Sequence, residues 1–329
     1  MPTFRSTLTR CAAGASAVGL AAVLSACGSE TATTAAGADG LVPLRVTSLA
    51  LCNEVTQYGV DAGIFARNGL AVELVKTNGG AAGLAAVQSG SADIAFVNPV
   101  TTLNAAAGGV PIDVVTGSAL TTQESNAVIA GTGSGIDGPA DLQGKTVAVN
   151  ELGGSGQFLT TKWIEAAAGA PVTAKFVALP FPELVTAVEN GQVDAAQVSS
   201  AQVAQITKNG KGKSIGNPIY ENVGPTPGAV YLAMRDYVEA NPETVQKFVT
   251  AMDEVAAVSN DPANDTPRYE VLSKYCKTPA ADLPAIAEPD YEGKLDMTAF
   301  QRMADIAFEG GLIKTDLDVT TLVPEGSRR

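Results

Sequence analysis

The segment VAVNELGGSGQFL, from Val147 to Leu159, concentrates residues able to hold a ligand: Asn150, Glu151 and Ser155 stand among Gly153, Gly154 and Gly156. An apolar run, then glycines, then helical spacing reads as a strand turning sharply into a helix. Glycine lets such a backbone come close to a bound group, and the free N–H groups of the new helix attract negative charge. A nucleotide enzyme needs more than this. Gly154 and Gly156 match the first two glycines of a dinucleotide fingerprint, but Leu159 stands where the third belongs, and no Lys-Ser/Thr pair follows as a phosphate-binding loop requires. The chain has no histidine, which removes the commonest general base, the usual triad member and the commonest metal ligand together. Neither a catalytic site, a metal site nor a cofactor is expected.

Four cysteines divide by position. Arg5 and Arg10 precede an uncharged small-residue run from Cys11 to Leu24, a signal-peptide pattern too short and too rich in Gly, Ala and Ser for a membrane span. It ends in LSAC, Leu24 to Cys27, which resembles a bacterial lipobox. That resemblance implies cleavage after residue 26 and a lipid on Cys27, the alternative being an ordinary signal peptide with a coincidental cysteine. Residues 27–43 then read as a flexible tether, with no core-forming residues from Gly28 to Gly40. Cys52 and Cys276 remain in an oxidising compartment, where they either pair as a disulfide or stay as separate buried thiols.

The elements that must position these residues follow from patterning. A chain of 329 residues at 46% hydrophobic exceeds the size at which one core normally stops growing, so two lobes are expected. Acids outnumber bases 34 to 21, which disfavours nucleic acid as a partner. From Leu44 onward, short β-branched runs (LRVTSLA, AVELVKT, DIAFV, IDVVTGSA, then TVAVN, AKFVALP, DAAQV) alternate with helical stretches ending in Gly, which predicts α/β architecture with mostly parallel, doubly wound sheets. One pattern occurs twice. AVQSGSADIAFV (Ala86 to Val97) and AVENGQVDAAQV (Ala187 to Val198) align at an offset of 101 residues, each with a helix-ending glycine, Gly90 or Gly191, and an aspartate, Asp93 or Asp194, before a buried strand. The left-handed helix cap and the strand start explain that spacing architecturally. Two similar Rossmann-like lobes joined by a hinge are the result, and a cleft between lobes is the default ligand site. Past Lys213, the run Ala229 to Met234 reads as a return crossing, followed by an amphipathic helix from Pro242 behind Asn241 and further helices without strands.

The stretches DAGIFARNGLAVELVKTNGGAAGLAAVQSGSADIAFVNPVTTLNAAAGGVPIDVV, DLQGKTVAVNELGGSGQFL and ALPFPELVTAVENGQVDAAQV together resemble the taurine, sulfonate, nitrate and thiamine-precursor class of solute-binding proteins of ABC importers. The likeness runs from Leu44 to Asn260. It implies the two-lobed type II periplasmic binding fold, with residues 44–120 and 227–329 forming lobe one and residues 121–226 inserted as lobe two. It also implies a monomeric receptor on the extracytoplasmic face of the cell membrane, held there by the lipid and serving an ABC permease. An enzyme of the same fold acting on a pyrimidine precursor would depend on an active-site histidine, which is missing here.

Open α/β sheets place ligands at the C-terminal ends of their strands. The candidate contacts are therefore Asn53, Glu54, Gly79, Gly80, Asn98, Thr101, Asn150, Glu151, Gly154, Ser155, Phe181, Ser199 and Thr226. Two helix N-termini aimed at one solute supply partial positive charge without basic side chains. No Lys or Arg falls at these positions while Glu54 and Glu151 do, and a carboxylate beside a bound anion opposes binding. The balance inclines toward a neutral heterocyclic or amine-bearing compound, with a sulfonate or nitrate as the alternative.

Overall fold

A computed structural model describes residues 40–329; the segments expected as signal peptide and lipobox, with Cys27, and most of the expected tether lie outside the described residues. Strands alternate with helices as the apolar patterning predicts. In the first lobe, β1 (Val42–Ser48) leads to α1 (Thr56–Asp61) and α2 (Ile64–Arg67), which are split at Gly63, whose φ of 68° is costly for a side chain. Then come β2 (Leu70–Lys76), α3 (Gly80–Gln88), β3 (Ala95–Val97), α4 (Pro99–Ala107) and β4 (Ile112–Leu120). The second lobe holds β5 (Asn126–Gly131), β6 (Thr146–Val149), α5 (Ser155–Ala168), β7 (Lys175–Ala178), α6 (Phe181–Glu189), β8 (Ala195–Ser199), α7 (Ser200–Lys208) and β9 (Gly212–Gly216). The chain returns through α8 (Pro218–Val223) into β10 (Pro227–Met234), then α9 (Arg235–Ala240), α10 (Pro242–Ser259), α11 (Asp265–Cys276), β11 (Asp290–Tyr291) and α12 (Met297–Glu309).

Both sheets are mixed rather than mostly parallel. In the first, β1 and β2 pair in parallel, a bridge from Val46 to Ile94 leads to β3, and β10 lies antiparallel between β3 and β4. In the second, ordered β7-β6-β8-β5-β9, strand β5 runs antiparallel to both of its neighbours. The reason is connectivity: β5 and β10 are the strands that enter each lobe from the other, so they arrive against the local direction. The apolar run ending at Met234 forms β10 beside β3 and β4, whereas Asn126–Gly131 and Gly212–Gly216 are strands that the apolar patterning does not announce. The two-residue strand β11, paired with β4, corrects the expectation of helices alone after the helix that begins at Pro242.

Apolar side chains fill both faces of each sheet. Phe65, Tyr231 and Phe248 meet ring to ring on one face of the first sheet, where α10 packs, and Val100, Leu103, Phe300 and Met303 fill the other beneath α4 and α12. In the second lobe Leu184, Val185 and Ile206 cover one face, while Trp163 and Ile164 cover the other. Each cluster withdraws side chains worth about 1.5–3 kcal/mol apiece from water.

The sequence repeat is a repeat of geometry. The Asp93 carboxylate accepts the Arg45 backbone N–H at 2.7 Å, and the Asp194 carboxylate accepts that of Thr146 at 2.7 Å. In return the Asp93 N–H donates to the Arg45 carbonyl and the Asp194 N–H to the Thr146 carbonyl, both at 2.9 Å. Asp93 pins β1 at its middle residue and Asp194 pins β6 at its first, and Gly90 and Gly191 take the left-handed cap with φ of 71° and 65°. These aspartates are architectural, as their spacing predicts.

Candidate functional site

The lobes face each other across a cleft of about 830 Å³, counting space open to solvent. Its walls follow the same 101-residue offset. Four pairs of lining residues are equivalent in the two lobes: Leu49 with Asn150, Gly80 with Phe181, Phe96 with Gln197, and Asn98 with Ser199. Phe96 and Gln197 lie inside β3 and β8, and the other three pairs sit where a strand ends or the next helix begins. Pleating turns such a strand residue off the sheet toward the opposite lobe, and the helix starts bring first-turn N–H groups to the cleft, those of Val100 and Thr101 in α4 being taken by Ser155 and Asn98. Asn98 and Ser199 precede α4 and α7, and the Asn98 side chain accepts from the Thr101 N–H at 2.9 Å. Asn53, Ser118, Thr121, Ser125, Asn126, Ser155 and Gly156 add polar groups, while Leu51, Ala119, Ile219, Ala229 and Pro289 make the wall partly apolar.

Among the described residues no charged side chain lines this cleft. That fact turns on where the two candidate carboxylates go. Glu54 turns back into its own loop, where its Oε2 accepts the Leu49 N–H at 3.0 Å, and it is buried behind the wall with Ser48, Gln57 and Tyr231. Desolvation pushes its carboxyl up to about 7, against opposing hydrogen bonds from Ser48 and the backbone of this loop. Glu151 reaches across to the first lobe, accepting the Ala81 N–H at 3.1 Å and Asn98 Nδ2 at 3.3 Å, together with the Thr101 hydroxyl.

Seven of the thirteen sequence candidates line the cleft: Asn53, Gly80, Asn98, Asn150, Ser155, Phe181 and Ser199. The other six lie off its walls. Gly79 and Gly154 leave room for Glu151, since a Cβ on Gly79 would stand 2.7 Å from Glu151 Oε2 and one on Gly154 would stand 3.2 Å from Oε1. Thr101 binds Glu151, and Glu54 braces its loop. Thr226 is buried between the lobes, where its carbonyl accepts the Thr121 N–H at 2.8 Å and its N–H donates to Thr121 Oγ1 at 3.2 Å, tying the two interlobe crossings side by side. Phe96, Gln197 and Leu49 escaped sequence reasoning, although projecting the repeat from its strands onto their ends marks all three.

The disulfide between Cys52 and Cys276 is formed, with Cα atoms 5.0 Å apart, so the two-thiol alternative falls away. It fastens the loop carrying Asn53 to the end of α11. From there residues 277–289 run along the second lobe, where Lys208 pairs with Asp282 at 2.8 Å and Leu283 and Ile286 pack with Ala201 and Ala204 of α7. Arg268, buried under this strap, holds Glu288 and donates to Asp265 at 2.7 Å. Among the described residues no cluster of His, Cys, Asp or Glu could hold a metal, and no helix is long and apolar enough to cross a membrane.

Comparison with known proteins adds ancestry to this geometry. The chain is 25% identical over 268 residues, 78% of each chain, to the taurine-binding periplasmic protein of Escherichia coli K12. Among solved structures, the alkanesulfonate-binding protein of Xanthomonas axonopodis pv. citri bound to MOPS superposes with a TM-score of 0.73 at 20% identity, covering 86% of this chain and 98% of the other. The nitrate-binding periplasmic protein of Synechocystis PCC 6803 gives a TM-score of 0.72 at 15% identity, covering 87% of this chain and 86% of its own. These structural likenesses establish the periplasmic binding protein fold. A family profile described as "NMT1/THI5 like" matches residues 57–264, most of the two-lobed body, and the chain belongs to that family.

Proposed function

We propose that the protein is an extracytoplasmic solute-binding receptor that captures a small organic anion between its lobes and delivers it to an ABC import permease. The observation that carries this reading is the cleft wall itself, free of charge and set between helix N-termini. Backbone N–H groups and neutral amides hold an anion without a counter-cation, as helix starts do elsewhere. The inclination toward a neutral heterocycle depended on Glu54 and Glu151 standing beside the solute. With both carboxylates directed away from the lining and held by N–H and O–H donors, that repulsion is weakened, and the sulfonate or nitrate alternative becomes the better reading. The taurine-, alkanesulfonate- and nitrate-binding relatives support it. The apolar part of the wall favours a solute with an organic body over bare nitrate.

In this reading Asn53, Gly80, Asn98, Asn150, Ser155, Phe181 and Ser199 touch the solute, joined by Phe96 and Gln197. Residues 44–120 and 227–329 move as one lobe and 121–226 as the other, closing over the solute and excluding water. The protein works as a monomer tethered through a lipid on Cys27. A Cys27→Ser variant should then leave the membrane fraction for the soluble one, and unchanged partitioning rejects the anchor. Isothermal titration against taurine, ethanesulfonate, nitrate and a pyrimidine tests the solute class. Sulfonate binding between micromolar and ten-nanomolar Kd, roughly −8 to −11 kcal/mol, supports the reading, and binding of the pyrimidine alone restores the heterocycle. Recovery of the solute chemically unchanged separates a receptor from an enzyme.

A further inference from the structure

We propose that Glu151 is a cross-lobe latch: a carboxylate carried by the second lobe that plugs into the helix starts of the first and holds the lobes together before any solute arrives. Its seat has the chemistry of an anion site. All three partners donate, the Ala81 N–H in the first turn of α3 at 3.1 Å, Asn98 Nδ2 at the start of α4 at 3.3 Å, and the Thr101 hydroxyl. Only a side chain with two accepting oxygens satisfies that set. The junction is reciprocal, because Asn98 Oδ1 accepts both the N–H and the hydroxyl of Ser155 at 3.1 Å, and Ser155 Oγ accepts the Val100 N–H at 3.3 Å. Both glycine loops are shaped around it. A Cβ on Gly79 would press on Glu151 Oε2, and one on Gly154 would come within 3.2 Å of both Asn98 Nδ2 and Glu151 Oε1. Glu151 is buried although Leu152 beside it is 53% exposed, so the loop turns this carboxylate inward at the protein's surface.

Glu151 itself lies outside the cleft lining, and its partner Asn98 borders the cleft from the other side, so the carboxylate leaves room for a solute. A contact present in both the empty and filled closed forms raises the closed population of the empty protein, and apparent affinity rises in proportion to that population. The effect on affinity rests on the solute-receptor reading above; the effect on shape does not.

The test uses Glu151→Gln, which sets an amide N–H₂ against donors, and Gly79→Ala, which displaces the carboxylate from the other side. After thermal melting confirms folding, small-angle scattering of the solute-free proteins should give a larger radius of gyration for both variants than for wild type. Titration with ethanesulfonate should show affinity weakened on the order of tenfold. In the solute-free wild type, the Ala81 amide should exchange its hydrogen slowly, a readout that needs no variant. Wild-type scattering from both variants, or exchange of Ala81 at the rate of an exposed loop, overturns the latch. Tighter binding by Glu151→Gln overturns it too, because the carboxylate would then be competing with the solute for one seat. If wild type binds no sulfonate while the variants still open, the solute reading fails and the latch stands.

Discussion

Two buried residues at the cleft, Glu54 and Gly156, make separable predictions. Glu54 ionises near 4.5 when exposed and near 7 in the folded protein, so between those values the unfolded chain binds fewer protons and stability falls as pH rises. The loss amounts to about 3 kcal/mol across that window. Urea titrations at pH 5 and pH 7.5 should show Glu54→Gln losing less stability over this range than wild type; parallel losses would place the raised carboxyl elsewhere. Some slope should persist in the variant, because burial also pushes Glu292 up to about 8 despite its 3.0 Å pairing with Arg329. Gly156 offers a contrasting case. A Cβ there would stand 2.6 Å from Gln197 Oε1, the far end of a flexible side chain, so Gly156→Ala should keep the fold while driving the amide off the cleft floor. Affinity should drop about tenfold, or 1.4 kcal/mol, with little change in melting temperature. An unaltered Kd removes Gln197 from the solute's contacts.

At the level of elements, the repeat explains what patterning revealed and what it concealed. Helix-ending glycines and strand-starting aspartates have local causes, so Gly90, Asp93, Gly191 and Asp194 could be placed from sequence. Asp194→Asn should weaken the acceptor for the Thr146 N–H and cost about 1 kcal/mol in urea unfolding, leaving the first lobe's strands intact. A loss above 3 kcal/mol would mean the pin supports more than the start of β6. Strands β5 and β9 were hidden for a physical reason. Asn126–Gly131 has only a short apolar run, and Gly212–Gly216 is largely uncovered with two glycines, so neither carries a period of its own; the neighbours β8 and β5 impose it. Antiparallel entry of β5 and β10 was equally illegible, since direction within a sheet is a property of tertiary connectivity. The cleft was half visible for the same reason. Polar residues at helix starts announce themselves, whereas Leu49, Phe96 and Pro289 look like ordinary core or loop residues until the opposite lobe is brought up to them.

For the whole molecule, the covalent link matters most. Joining residues 224 apart in sequence, the Cys52–Cys276 bond restricts the unfolded chain enough to contribute about 5 kcal/mol in chain-entropy terms. A Cys52→Ala, Cys276→Ala double variant should melt well below wild type by calorimetry, and equal melting temperatures would show the fold to be indifferent to the link. Its position matters as much as its strength. Cys52 adjoins Asn53 on the cleft wall, and Cys276 begins the strap that ends at Pro289 on the same wall. Preparations made in a thiol-rich cytosol would therefore yield molecules with one rim of the cleft unfastened, and an assay on such material would underestimate capture while attributing the shortfall to the wrong solute.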